Sequence, residues 1–99
     1  MLNIKKTIEN GKGVFALEGR LDTVTSRDFG KELSAELDDL TDLVLDFEKL
    51  EYISSAGLRV LLTAMNEMEG KGSMKVVHVN ETIMETLEIT GFAEDLTIE

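Results

Sequence analysis

Two adjacent hydroxyls, Ser54 and Ser55, stand where a strand-like run gives way to a helix-like one. Such a passage leaves the first backbone N–H groups of the helix without partners. A serine placed there caps the helix, or it accepts a phosphoryl group that a partner can read. The cap is worth about 1 kcal/mol. Phosphorylation adds roughly −1.5 to −2 charges and three strong acceptors. A helix N-terminus tolerates that charge, because its free N–H groups and dipole favour an anion by about 0.3–1 kcal/mol. The domain would therefore stay folded while its surface changed sign locally. A partner packed on the neutral helix start would face an unmatched dianion, which costs several kcal/mol when buried. Binding could be switched without refolding.

The remaining reactive groups do not converge as an enzyme's would. The one histidine, His78, sits in the apolar run Lys75-Val76-Val77-His78-Val79, which suits a packed or rim residue better than a general base. The nucleophile-elbow spacing Gly-x-Ser-x-Gly is absent, since Ser55 lies in Ile53-Ser54-Ser55-Ala56-Gly57. Neither G-x-x-x-x-G-K-S/T nor G-x-G-x-x-G occurs, and no metal-ligand spacing is legible. Asp46, at the end of a central strand, has the position of a receiver-type phosphoacceptor but lacks the acidic cluster and later lysine that such a site needs. Catalysis, cofactors and metal are therefore not expected.

The elements that must position the serines follow from periodicity. Leu43-Val44-Leu45 is a compact apolar run, the pattern of a strand covered on both faces. That strand runs through Asp46-Phe47, and a short polar connection leads from it to the two serines and a helix. Leu58, Leu61, Leu62 and Met65 then form one helical stripe, closed by Gly70-Lys71-Gly72. Upstream, Leu2, Ile4 and Ile8 alternate with polar residues, and Asn10-Gly11 predicts a hairpin returning through Val14-Phe15-Ala16-Leu17. Gly19-Arg20-Leu21-Asp22 ends that strand. Thr25 with Asp28 resembles a capping box ahead of a helix bearing Phe29, Leu33, Leu37 and Leu40, which stops near Asp38-Asp39. The strand Lys75–Val79 precedes an Asn80-capped helix carrying Ile83, Met84 and Leu87 and ended by Gly91. Phe92 should pack back on the core, and Leu96-Thr97-Ile98 reads as a final short strand. The expected fold is α/β: one domain over residues 1–99, a mixed, mainly parallel sheet with an initial antiparallel hairpin and about three helices.

Composition narrows the partners. The 99 residues suffice for one core, and 42% hydrophobic with 30% charged residues is ordinary for a globular protein. There is no cysteine, which removes disulfides and thiolate chemistry. The start Met1-Leu2-Asn3-Ile4-Lys5-Lys6 has no signal-peptide core, and no apolar run approaches the roughly 18 residues of a membrane span, so the expected location is the cytoplasm. A net charge of −10 works against nucleic acid and anionic membranes. The acidic residues after Val76 suit a solvated face, or steering toward a basic protein.

Three segments together resemble a known family. They are Gly19-Arg20-Leu21-Asp22 with Thr25, Leu43-Val44-Leu45-Asp46-Phe47, and most specifically Tyr52-Ile53-Ser54-Ser55-Ala56-Gly57-Leu58-Arg59-Val60-Leu61. The chain is similar over essentially its whole length to STAS domains, in particular the free-standing bacterial anti-sigma factor antagonists. The resemblance implies a partner switch. The unmodified antagonist binds an anti-sigma factor that is a serine kinase, and so frees a sigma factor. Phosphorylation by that kinase ends the binding, and a phosphatase restores it. ATP belongs to the kinase, so no cofactor is implied here. The phosphoacceptor lies two residues before the Gly-Leu pair, which is Ser55, with Ser54 as a competitor. The implied partner surface comprises Asp22, Thr25, Ser54, Ser55, Ala56, Gly57, Leu58 and Arg59. Two departures stand out: the family often has Asp where this chain has Ser54, and Ser or Thr where it has Ala56. A second reading is a constitutive STAS subunit of a transport ATPase in lipid trafficking, with Ser54-Ser55 never modified. A third is a small serine hydrolase or ligand binder, for which base and cradle are missing.

Overall fold

The computed structural model describes residues 2–99; Met1, with which the amino-terminal reading begins, lies outside them. Strands β1 (Leu2–Glu9) and β2 (Lys12–Leu21) form the expected hairpin. Its turn is Asn10-Gly11, with φ of 51° and 82°, the left-handed pair that such a two-residue turn needs. Helix α1 (Thr23–Leu37), strand β3 (Asp42–Ile53), helix α2 (Ser55–Met68), strand β4 (Ser73–Val77), helix α3 (Glu81–Ile89) and the short helix α4 (Phe92–Asp95) follow. The sheet order is β1-β2-β3-β4, antiparallel in its first pair and parallel in the other two.

One core joins the sheet to the helices. Leu43, Leu45 and Phe47 of β3 are fully buried, as are Phe29 of α1, Leu61 of α2 and Ile83 and Leu87 of α3. Phe15 and Phe29 meet edge to face with centroids 6.4 Å apart, a geometry worth about 0.5–1.5 kcal/mol beyond area burial. Asn80 caps α3 as expected, its Oδ1 accepting from the Ile83 N–H at 2.9 Å. Gly70 and Gly91 take left-handed φ where α2 and α3 end. Phe92 packs against the core.

Several expectations are corrected. β3 runs on to Ile53, so the short polar connection expected between Phe47 and the serines is strand. There β3 carries two more residues than β2 between matched pairs: Ala16↔Asp46 is followed by Glu18↔Lys49, and Gly19↔Leu50 by Arg20↔Tyr52. These bulges space the buried Phe47, Leu50 and Ile53 three residues apart, which erases the alternation that marks a strand. β2 ends within Gly19-Arg20-Leu21-Asp22 as expected, at Leu21, passing Gly19 at φ 110°. Ile8 is 40% exposed, and the buried stripe of α2 is Gly57, Leu58, Leu61, Ala64 and Met68, leaving Leu62 outward. Leu40 is buried but lies beyond the end of α1. β4 stops at Val77, because His78 turns left-handed with φ 57°. The last strand shrinks to a single bridge, Val76↔Ile98, after the unanticipated α4.

Gly57 sits where α2 crosses the strand ends. A Cβ there would lie 2.8 Å from Ile53 Cγ1 and 2.9 Å from Leu21 Cδ2, both on buried side chains. Overpacking of this kind costs about 1–3 kcal/mol, against the roughly 1 kcal/mol of helix propensity that alanine would return. Gly57→Ala is therefore expected to lower the urea midpoint by about 1–2 kcal/mol of stability. An unchanged midpoint would mean that α2 can lift off the strands without loss.

Candidate functional site

The parallel register of β2 and β3 sets Leu21 opposite Ile53. Each strand passes to its helix within two residues, so α1 and α2 begin side by side at one end of the sheet. The Ser54 N–H donates to the Leu21 carbonyl at 2.9 Å and ties the two junctions together. This brings Asp22 and Thr25 to the same end of the sheet as the serines.

The two serines have different tasks. Ser54 is the N-cap of α2, with extended backbone at φ −92° and ψ 174°. Its Oγ accepts from the Gly57 N–H at 3.2 Å, and its carbonyl accepts from the Leu58 N–H at 3.0 Å. Ser55 is the first residue of the helix and exposed, and its hydroxyl has no hydrogen-bond partner among the described residues. Ala56 is half-buried, Gly57 and Leu58 are buried beneath the turn, and Arg59 is exposed. The sequence-derived surface thus divides: Ser55 and Arg59 are open, whereas Gly57 and Leu58 hold the turn in place. No acidic side chain lies in the first turn of α2.

At α1 the capping box is shifted from the expected Thr25–Asp28 pair to Asp22–Thr25. Asp22 Oδ1 accepts from the Val24 and Thr25 N–H groups at 3.0 and 2.9 Å, while the Asp22 N–H donates to Thr25 Oγ1 at 2.9 Å. The Thr25 hydroxyl lies 2.8 Å from the Arg20 carbonyl and 3.1 Å from Asp22 Oδ1, either of which can take its proton. Thr25 is therefore spent on the junction. The Thr25 N–H, and then its hydroxyl, hold the Asp22 carboxyl below the usual carboxylate range, against a smaller opposing effect of desolvation.

Three further residues stand at this end, outside the partner surface that the resemblance implies. The Arg20 guanidinium lies 4.4 Å from the Tyr52 ring centroid, and the two are register partners across β2 and β3. Only the parallel register pairs residues so far apart in sequence. Val24, on the first turn of α1, is 68% exposed, large for an apolar side chain with no partner in the fold. The lone histidine is elsewhere. His78 stands at the end of β4 with Nδ1 3.0 Å from Asp46 Oδ1, so it is an exposed rim residue as one sequence reading had it.

These features can be set against known proteins. A family model for the STAS domain matches residues 3–99. The chain belongs to the STAS domain family. A Bordetella bronchiseptica protein named as an anti-sigma factor antagonist, BtrV, is 32% identical over 85 residues, covering 84% of this chain and 73% of the relative. Within the STAS family, the chain therefore groups with the anti-sigma factor antagonists. The crystal structure of such an antagonist from Mycobacterium paratuberculosis superposes with a TM-score of 0.90 at 20% identity, covering 99% of this chain and 85% of that one. SpoIIAA from Bacillus, in its phosphorylated form, gives 0.76 at 19% identity, covering 100% of this chain and 91% of that one. Its unphosphorylated form gives 0.78 at 18%, covering 100% and 87%. These solved structures share the fold. Among the described residues no helix is long and apolar enough to cross a membrane.

The division between the serines has a direct consequence for stability. Ser54→Ala is expected to cost about 1 kcal/mol through loss of the cap. Ser55→Ala should stay within about 0.5 kcal/mol of the parent. Paired urea melts distinguish them, and equal losses would contradict the assignment of Ser54 as the cap. Asp22 supplies a pH dependence. Its bonds favour the ionised form, so its contribution is present above the unfolded carboxylate value of about 3.9. It is lost as pH falls through the lower folded value. The stability advantage of the parent over Asp22→Asn should therefore shrink as melts are taken from about pH 6 to about pH 2.5. An advantage that persists undiminished in acid would contradict the bonding described.

Proposed function

We propose that this chain is a phosphorylation-controlled anti-sigma factor antagonist whose switch is Ser55. In the unmodified state the paired starts of α1 and α2 dock on an anti-sigma factor that is also a serine kinase, and a sigma factor is released. Transfer of a phosphoryl group to Ser55 Oγ ends that docking, and a phosphatase acting on the phosphoserine restores it. The setting is the cytoplasm, where kinase, ATP and sigma factor meet. The role is regulatory, with no reaction carried out by the chain itself.

The observation that carries the reading is the free, exposed Ser55 hydroxyl at the first position of α2. Ser54 is a poorer acceptor, because its Oγ is already engaged by the Gly57 N–H. The absence of acidic side chains from the first turn of α2 leaves the positive end of its dipole available to a phosphate. A dianion there is compatible with the fold but not with a dry contact. Arg20, Tyr52 and Val24 extend the docking surface beyond the residues that the family resemblance supplied.

Incubation with the serine kinase of the same host and ATP, followed by peptide mass mapping, should place one phosphate on Ser55. Ser55→Ala should stay unmodified and remain bound to the kinase. Ser55→Asp should lose at least about tenfold in affinity, equivalent to 1.4 kcal/mol, while melting like the parent. Phosphate found on Ser54 instead, or undiminished binding by Ser55→Asp, would reject Ser55 as the switch.

A further inference from the structure

Away from the helix starts, Asp46, Glu48 and His78 bring two carboxylates and an imidazole together, one ligand atom from each lying within 4.8 Å of the others. We propose that this triad binds a divalent transition-metal cation, with Zn2+ as the reference ion, through His78 Nδ1 and one oxygen each of Asp46 and Glu48. The distances fit such an ion. Ligands held tetrahedrally at about 2.0–2.1 Å from zinc are roughly 3.3–3.4 Å from each other. His78 Nδ1 lies 3.0 Å from Asp46 Oδ1 and 3.7 Å from Glu48 Oε2, values that bracket this edge. Small side-chain rotations would bring all three onto one centre. One nitrogen with two oxygens suits zinc and its transition-metal neighbours more than Mg2+, which prefers an all-oxygen octahedron. Three protein ligands leave a further position for water or a partner's side chain.

The fold prepares the triad. His78 ends β4 in the left-handed region at φ 57°, which carries its ring to β3 instead of continuing the strand. Two residues on, the Asn80 amide donates to the Leu50 carbonyl at 2.8 Å while its oxygen caps α3, so the segment is held from both sides. The Glu48 N–H donates to Asp46 Oδ1 at 3.0 Å and orients that carboxylate, as outer bonds to metal ligands commonly do. Lys5, Lys49 and Glu18 line a groove with Asp46 and Glu48, and Lys49 is drawn to Glu18 at 3.8 Å. The ion pair between His78 and Asp46 accounts for two of the three groups without a metal. The exposed Glu48 carboxylate, 3.7 Å from His78 Nδ1, adds the third donor of the set.

Calorimetric titration of the full chain with ZnCl2 in a non-chelating buffer tests the site. The expected result is about one equivalent bound with a micromolar dissociation constant, weakened at least about tenfold in His78→Ala, Asp46→Asn and Glu48→Gln alike. Binding should persist in Glu94→Gln, which removes an acidic group outside the triad. Imidazole 15N spectra should report Nδ1 as the coordinated atom, with the proton on Nε2. Three results would overturn the proposal: no saturable binding at about 100 μM zinc, binding that His78→Ala leaves unchanged, or equal affinity for Mg2+. The second and third would mark diffuse attraction of cations to an acidic surface.

Discussion

The pairing of Leu21 with Ile53 across two parallel strands is the constraint on which the functional end of the molecule depends. Parallel strands deliver their carboxyl ends to the same side of a sheet, so the helices that follow them begin together. Here the alignment is held by the Ser54 N–H on the Leu21 carbonyl and by Gly57, whose missing side chain lets α2 sit directly on Leu21 and Ile53. Everything exposed at this end inherits its position from those buried contacts. Asp22 and Thr25 share an end of the sheet with the serines because β2 stops level with β3. Arg20 reaches Tyr52 for the same reason.

The proposed switch at a helix start must combine a firm backbone with a free side chain, and two adjacent serines would divide these demands. Ser54 meets the need of the helix for an N-cap and is spent in doing so. Ser55 then bears no structural duty, so charge placed on it acts outward on a partner and not inward on the core. This division bears on the departure from the family pattern at residue 54. An aspartate there could cap equally well. Serine keeps the cap and removes one negative charge from beside the proposed acceptor. The protein as a whole carries −10, so a phosphoserine dianion adds little to the global charge. Its effect is local, at a surface where docking would strip it of water.

Much of the fold was legible because the relevant signals are local. Asn10-Gly11 demands a left-handed turn, Asn80 caps its own helix, and Gly70 and Gly91 end theirs. The parts that were misread share one physical feature: a distant partner overrides local pattern. Residues 46–53 lack alternation because two bulges shift Phe47, Leu50 and Ile53 to a three-residue spacing. A bulge is defined by the neighbouring strand and leaves no signature in its own strand. Thr25 precedes an apolar helical pattern and so resembles a cap. The carboxylate of Asp22, three residues earlier, bonds the same turn better and recruits Thr25 as its reciprocal partner.

The amino-acid sequence by itself determined the class of fold, the capped passage from strand to helix, and the presence of an alcohol at residue 55. Each depends on residues within a few positions of one another, where spacing and stereochemistry suffice. Which serine caps and which stays free was decided by three-dimensional geometry, through the direction of the Gly57 N–H and the turn of the backbone at Ser54. The meeting of Asp46 and Glu48 with His78 was likewise decided only by the β3–β4 pairing and the left-handed turn that ends β4. Groups some 30 residues apart carry no mutual signal along the chain, and their distance exists only once the strands are aligned.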